Sequence, residues 1–271
     1  MRPGTTLSPT SRRKTPFRLG TTSYIYPAEI LPNVRSLRGK VEDIEIVLFE
    51  SDEASNYPSR QEIEELAAIG RETGLSYTIH LPLDILLGDP ELVVRRRSVD
   101  TCLRAIDATA DLRPHGYIVH LQGVPPDDHG EWLNENWLAR IDQSVGELVK
   151  HLDNPRLLCA ETLSYPFHLV EKLVERRDLS ICLDVGHITL YDQPLELYLR
   201  RYLSRTRIIH LHGNSGGRDH LDLGLLPGAT IDLLFTSLAA LPKGDDLVVT
   251  LEIFSEKDLE ISRSVVEKYL P

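Results

Sequence analysis

A repeated alternation constrains the fold of this chain more than any other feature. Eight short, almost continuously apolar runs recur along it: FRLGTTS (17–23), IEIVLF (44–49), SYTIHL (76–81), GYIVHL (116–121), RLLCAET (156–162), LSICLDV (179–185), RIIHLH (207–212) and LVVTLEIF (247–254). Near-continuous apolar strands belong to a sheet covered on both faces, which means a parallel sheet wrapped in helices. Segments of helical periodicity separate the runs. SRQEIEELAAIGRETG (59–74) opens on a serine cap, carries acids in its first turn and closes on Gly74. Further helices are expected at 90–109, 132–152, 167–176, 194–203, 230–240 and 256–269. Eight such units, in a chain close to the usual size of about 250 residues, predict an α/β protein built as a single (β/α)8 TIM barrel over 17–271. An open doubly wound sheet is the alternative. It would carry a glycine-rich first turn, and LGTTSYIYP has none.

Residues 1–16, MRPGTTLSPTSRRKTP, are basic, proline-rich and nearly free of apolar side chains. They lack the apolar stretch of a secretory signal and are expected to form a disordered arm outside the barrel. The net charge of -11 argues against a nucleic-acid partner, because phosphate contacts need clustered Lys and Arg. No apolar run approaches the roughly 20 residues of a membrane span. Three cysteines, Cys102, Cys159 and Cys182, without paired spacing suit a reducing cytoplasm. Oligomeric state is open at this level.

The strand ends carry the chemistry. ICLDVGH (181–187) is an apolar run that stops at Asp184, with His187 three residues on. Burying an ionised carboxylate costs several kcal/mol unless it is paired or bound to a metal. The pattern repeats: His80 and His120 end the third and fourth runs, Glu161 the fifth, His210 and His212 the seventh, and Glu252 lies on the eighth. The loop GNSGGRDHLDLG adds Asp219 and His220. In a barrel these ends converge at the active-site face, and alternation places Cys182 with Asp184, Cys159 with Glu161, and His210 with His212 on shared faces. Each residue alone is more simply a hydrogen-bonded core group or a helix cap. Six successive strand ends of this kind are better explained by divalent metal, and mixed imidazole and carboxylate ligands suit zinc, manganese or iron. Glu161, Asp184, His210 and Glu252 are expected to hold one ion, and His80, His120 and His187 to build a second position. Cys159 and Cys182 are expected to pack beneath the site.

This pattern resembles the superfamily that unites xylose-isomerase-like sugar epimerases with endonuclease IV, over roughly residues 17–256. Glu161, Asp184, His210 and Glu252 match its four shared metal ligands, and DVGH its Asp-x-x-His motif. His80 and His120 match two histidines of the multi-zinc phosphodiesterase branch. RDHLDLG is similar to that branch's Asp-x-His loop: His220 aligns as a ligand, whereas Arg218 stands where the Asp would be and Asp219 is shifted by one. Four stretches, LGTTSYIYPAEILPNV, YTIHLPLDI, YPFHLVE and IIHLHG, resemble the cobamide-remodelling phosphodiesterases of the CbiR family. The resemblance implies a metal-dependent hydrolase, with one to three ions of zinc or manganese. It would cleave the nucleotide-loop phosphodiester of an adenosylated cobamide to adenosylcobinamide phosphate and the lower-ligand nucleoside.

The alternative is a metal-dependent sugar isomerase or epimerase in which Glu161 and Glu252 act as acid and base. A non-catalytic ligand-binding barrel is a third class, disfavoured because the ligand-type residues are present. In the phosphodiesterase reading Glu161 and Glu252 bridge metals or orient the nucleophile, and Arg218 is the phosphate partner. Arg95, Arg96 and Arg97 read more simply as a solvated helix face. Tyr24, Tyr26 and Tyr165 are candidates for packing on a flat ring.

Overall fold

The computed structural model describes residues 15–51, 54–123, 135–242 and 247–270. The first fourteen residues of the expected arm lie outside them. Eight parallel strands close into a barrel: β1 (Phe17–Thr22), β2 (Asp43–Val47), β3 (Ser76–His80), β4 (Tyr117–Val119), β5 (Leu158–Glu161), β6 (Ser180–Asp184), β7 (Thr206–Leu211) and β10 (Leu247–Leu251). Between β7 and β10 a small antiparallel hairpin, β8 (Gly213–Ser215) and β9 (Arg218–Leu221), rises as a separate sheet. The barrel closes because β1 pairs with both β2 and β10.

The helices expected from periodicity are present within a few residues: α2 (Arg60–Thr73), α3 (Leu92–Thr109), α4 (Glu135–His151), α5 (His168–Arg176), α7 (Leu195–Tyr202), α8 (Gly228–Ala239) and α9 (Glu256–Val266). Residues 132–134 of the helix expected after the fourth strand lie outside the described residues. α2 begins with a reciprocal cap between Ser59 and Glu62 and ends at Gly74 with φ 77°.

Three elements escape the periodicity. α1 (Ile30–Leu37) buries Ile30, Leu31, Val34 and Leu37, but Pro32 and a fully buried Asn33 interrupt its apolar stripe. Asn33 is satisfied by Tyr26, Ala28 and Glu29 of the preceding turn, so it locks the loop leaving β1. α6 (Val185–Leu190) is only six residues long, and Asp184 caps it by accepting from the His187 N–H at 2.7 Å. The hairpin is built on Gly216 and Gly217, with φ 60° and 76°.

Inside the barrel, alternate residues stack in layers. Ile118, Cys159, Cys182 and Ile208 form a small apolar floor. Strand stagger brings them level, with Ile118 opposite Cys159 and Cys182 opposite Ile208. Burial pushes the Cys159 thiol up to about 12 and Cys182 well above its usual value, so both are neutral filling, as expected. One inward position further along come His120, Glu161, Asp184 and His210, which the floor supports.

Below β2 and β3 the interior is polar. The buried Asp43 carboxylate accepts from Ser76 Oγ at 2.5 Å and Thr78 Oγ1 at 2.9 Å. Burial pushes it up to about 6, against the opposing pull of those two hydroxyls. A carboxyl that holds its proton more tightly in the fold than in the unfolded chain makes folding less favourable as pH rises through the interval between its two pKa values. For Asp43 that window runs from about 4 to about 6, and the loss persists above it. Asp43→Asn should therefore gain on the wild type across this window, by on the order of 2 kcal/mol. Urea unfolding at pH 4 and pH 7 measures it. A variant-to-wild-type difference that does not move with pH would contradict the assignment.

Candidate metal centre

Glu161 and Asp184 are the last residues of β5 and β6, His210 lies near the end of β7, and Glu252 follows β10 directly. All four are buried. Each offers one ligand atom within 4.8 Å of the others. The His210 ring is held by a residue that the sequence reading missed. Its Nε2 lies 2.8 Å from Glu45 Oε2, a fully buried carboxylate on β2. A carboxylate accepts, so Nε2 donates to Glu45, and Nδ1 is the atom turned toward the three other carboxylates. Nδ1 lies 3.0 Å from Glu252 Oε2, 3.5 Å from Glu161 Oε1 and 3.8 Å from Asp184 Oδ2.

Among the described residues, His210 Nδ1 and Glu252 Oε2, both buried, have no well-aligned hydrogen-bond partner and face each other across 3.0 Å. Three carboxylates and an imidazole nitrogen brought this close together in a buried pocket could hold a metal ion, which would offset the cost of burying like charges. Three oxygens and one nitrogen form a donor set that a divalent ion of the zinc or manganese type fits. Glu45, His210 and such an ion would make the carboxylate–histidine–metal arrangement that fixes a ligand's tautomer. The signal was present in the sequence, as a glutamate at an inward position of the apolar run IEIVLF.

Two histidine sets flank this core. On one side His80 Nδ1 lies 2.8 Å from the Leu81 carbonyl and so donates, turning Nε2 toward Glu161 Oε2 at 3.3 Å. His120 Nε2 reaches the same oxygen at 2.9 Å. His80, His120 and Glu161 therefore converge. On the other side His187, from α6, converges with His212 and His220. The sequence reading grouped His187 with His80 and His120; the barrel places it across the core from them, because α6 leads away from β6 toward the hairpin. His187 Nδ1 is 3.0 Å from Asp184 Oδ2, His212 Nε2 is 3.2 Å from Asp184 Oδ1, and His220 Nδ1 is 3.6 Å from Glu252 Oε2. Core carboxylates thus link the flanking sets.

Gly186 in the DVGH motif lies under the His212 ring. A Cβ there would approach ring atoms to 2.1–2.4 Å, so only glycine lets α6 and β7 close on each other. Burial works against charging these imidazoles, but Glu161 raises His80 to about 9, and Asp184 with Glu161 raises His187 to about 10. Despite burial, His120 and His210 hold Glu161, and His187 and His212 hold Asp184, below the usual carboxylate range. A metal must compete with these protons, so its affinity rises with pH.

Other nominated residues fall elsewhere. Arg218 opens β9 with an exposed side chain that makes no hydrogen bond or ion pair among the described residues. Asp219 Oδ2 is 3.8 Å from His187 Nε2 and 3.7 Å from His220 Nε2. Tyr165 is buried, edge-on to Trp137, and donates to the Leu121 carbonyl, so it is not available to a ring in the site. Tyr24 accepts from Asn56, and Tyr26 is tied to Lys40 and Glu256. Arg95 donates to the Asp89 and Pro90 carbonyls at the start of α3.

The sequence profile of the xylose isomerase-like TIM barrel matches residues 40–268. The chain belongs to that family. Among solved structures, this xylose isomerase-like barrel is similar to a D-tagatose 3-epimerase-like protein (20% identity, 94% of this chain and 97% of that one, TM-score 0.77). It is similar also to D-psicose 3-epimerase from Clostridium cellulolyticum (15%, 94% and 99%, 0.74). Endonuclease IV from Thermus thermophilus superposes as well (18%, 93% and 99%, 0.67). Likeness at these identities establishes the fold. No curated protein matches the chain by sequence.

Glu45 gives the sharpest test of this centre. Glu45→Gln frees the His210 ring to turn or change tautomer, and should weaken metal binding by about 10–100-fold without unfolding the barrel. Chelator competition measures it. Unchanged affinity would show that Glu45 does not orient the ligand.

Proposed function

We propose that this barrel is a metal-dependent phosphodiesterase acting on adenosylated cobamides. The observation that carries the reading is the pair of histidine sets on either side of the carboxylate core. A single metal for binding sugar oxygens needs Glu161, Asp184, His210 and Glu252 alone, whereas His80 and His120 on Glu161, with His187, His212 and His220 beyond Asp184, provide for further ions. The stretches resembling the CbiR family point to the cobamide as substrate.

In this reading a bound divalent ion supplies positive charge to the phosphoryl oxygens and acidifies water. The chain's own residues do the rest. Glu252, a buried carboxylate that follows β10 directly, is assigned to orient the attacking water. Water oxygen bonds to phosphorus, the bond to the nucleoside oxygen breaks, and the proton passes to that leaving oxygen. The phosphate stays on the cobinamide. Arg218, exposed on the hairpin beside the site, is assigned to the substrate's phosphate.

The second reading, a sugar isomerase or epimerase with Glu161 and Glu252 as acid and base, draws support from the epimerases among the similar structures and from the approach of both glutamates to His210 Nδ1.

Metal-replete protein offered adenosylcobalamin, a keto-sugar and abasic DNA should release adenosylcobinamide phosphate and a nucleoside from the first and leave the others unchanged. Epimerised sugar beside intact cobamide would transfer the assignment to the second reading. Arg218→Ala should lower turnover about tenfold or more while metal content, measured by mass spectrometry, stays near wild type, since one charged contact to a phosphoryl group carries this much. Equal loss of metal and turnover would remove Arg218 from the phosphate.

A further inference from the structure

Among the described residues, the strongly exposed large apolar side chains all lie after a strand end and no later than the first turn of the helix that leads back to the next barrel strand, Tyr191 and Leu197 falling beyond the short α6, at its junction with α7 and in the first turn of α7. Phe49, Leu83, Tyr191, Leu225 and Phe254, each 43–49% exposed, sit on five different loops of the metal-centre face. Single exposed apolar residues are ordinary, but a set gathered around the mouth of one polar cavity marks a binding surface. The opposite end carries none of these exposed side chains among the described residues; one cavity there, of about 200 Å³, is lined by Arg156, Arg205, Arg207, hydroxyl residues and three leucines.

Two rim aromatics touch the cage itself. The Phe254 ring stands 5.2 Å from the His220 ring at 69°, and the Tyr191 ring lies 6.1 Å from the His187 ring at 44°. Both histidines belong to the set beside Asp184. The two aromatics therefore rise from neighbouring parts of the cage toward solvent. The tyrosines that the sequence nominated for this task are committed to protein hydrogen bonds, whereas Phe254 has no polar group to satisfy.

We propose that Phe254 and Tyr191 are specificity-determining residues that hold a flat, largely apolar ring of the substrate over the metal cage. A small polyol would leave both rings in water. A substrate that carries a broad ring face close to its phosphodiester would cover them while the cage takes the phosphate. The inference deepens the phosphodiesterase reading and rests on it for the identity of the ring.

Two measurements on metal-replete full-length protein test it: steady-state turnover of adenosylcobalamin, and equilibrium binding of cobinamide, which has the macrocycle but no nucleotide loop. Phe254→Ala and Tyr191→Ala should each raise KM and the cobinamide Kd by about tenfold while kcat changes by less than about twofold, and Phe254→Tyr should restore both. Cleavage by the alanine variants at wild-type KM would overturn the rim and leave the reaction standing. Cobinamide bound by wild type and released by the variants, with no cobamide cleaved, would keep the rim and remove the reaction. A dimer that the alanine variants dissociate, with cobinamide binding unchanged, would make the rim a contact between copies and overturn its role in specificity.

Discussion

Three buried carboxylates and a histidine ring nitrogen meet in the mouth of this barrel, and the surrounding structure is organised to make that tolerable. Glu161, Asp184 and Glu252 lie against His210 Nδ1 at 3.0–3.8 Å, and all four residues are buried. Left alone, such a group would repel itself and raise the cost of closing the barrel. The chain answers with cationic or cation-binding partners on every side. Glu45 fixes the ring that turns Nδ1 toward them. His80 and His120 share one Glu161 oxygen, and His187 and His212 take both Asp184 oxygens. The apolar floor of Ile118, Cys159, Cys182 and Ile208 seals the pocket from below.

The fold explains why these residues meet although they are spread over more than 200 positions of sequence. Parallel strands in a closed barrel deliver their last inward side chains to one ring, and stagger brings residues from neighbouring strands level. Asp184 shows how tightly position and chemistry are joined. One oxygen caps α6 while the carboxylate faces His187 and His212, so the same residue ends a strand, starts a helix and enters the cage. Gly186 completes this by admitting the His212 ring, so a side chain at that position would disturb the cage through packing alone.

Much of this was legible in the sequence. Eight apolar runs separated by helical patterns lead directly to the barrel, because a two-sided parallel sheet leaves a strong signature. The ligand-type residues were visible because His, Asp and Glu do not end apolar strands without cause. Less legible was what depends on tertiary placement. Glu45 has the same signature as Glu161 but sits one layer lower, and only the 2.8 Å contact with His210 reveals its part. His187 follows Asp184 by three residues in sequence, yet the turn of α6 carries it to the hairpin side rather than to His80. Pro32 and Asn33 hide α1, and two glycines make the β8–β9 hairpin read as a loop. The rim aromatics could not be separated from the tyrosines without knowing which hydroxyls were already bonded.

The central claim is that the cage holds more than one divalent ion. An anomalous difference map from crystals of metal-replete protein tests it most directly. The account predicts one peak among Glu161, Asp184, His210 and Glu252 and a second against His80, His120 and Glu161. A single peak at the first position, with His80 and His120 bonded only to protein, would contradict it.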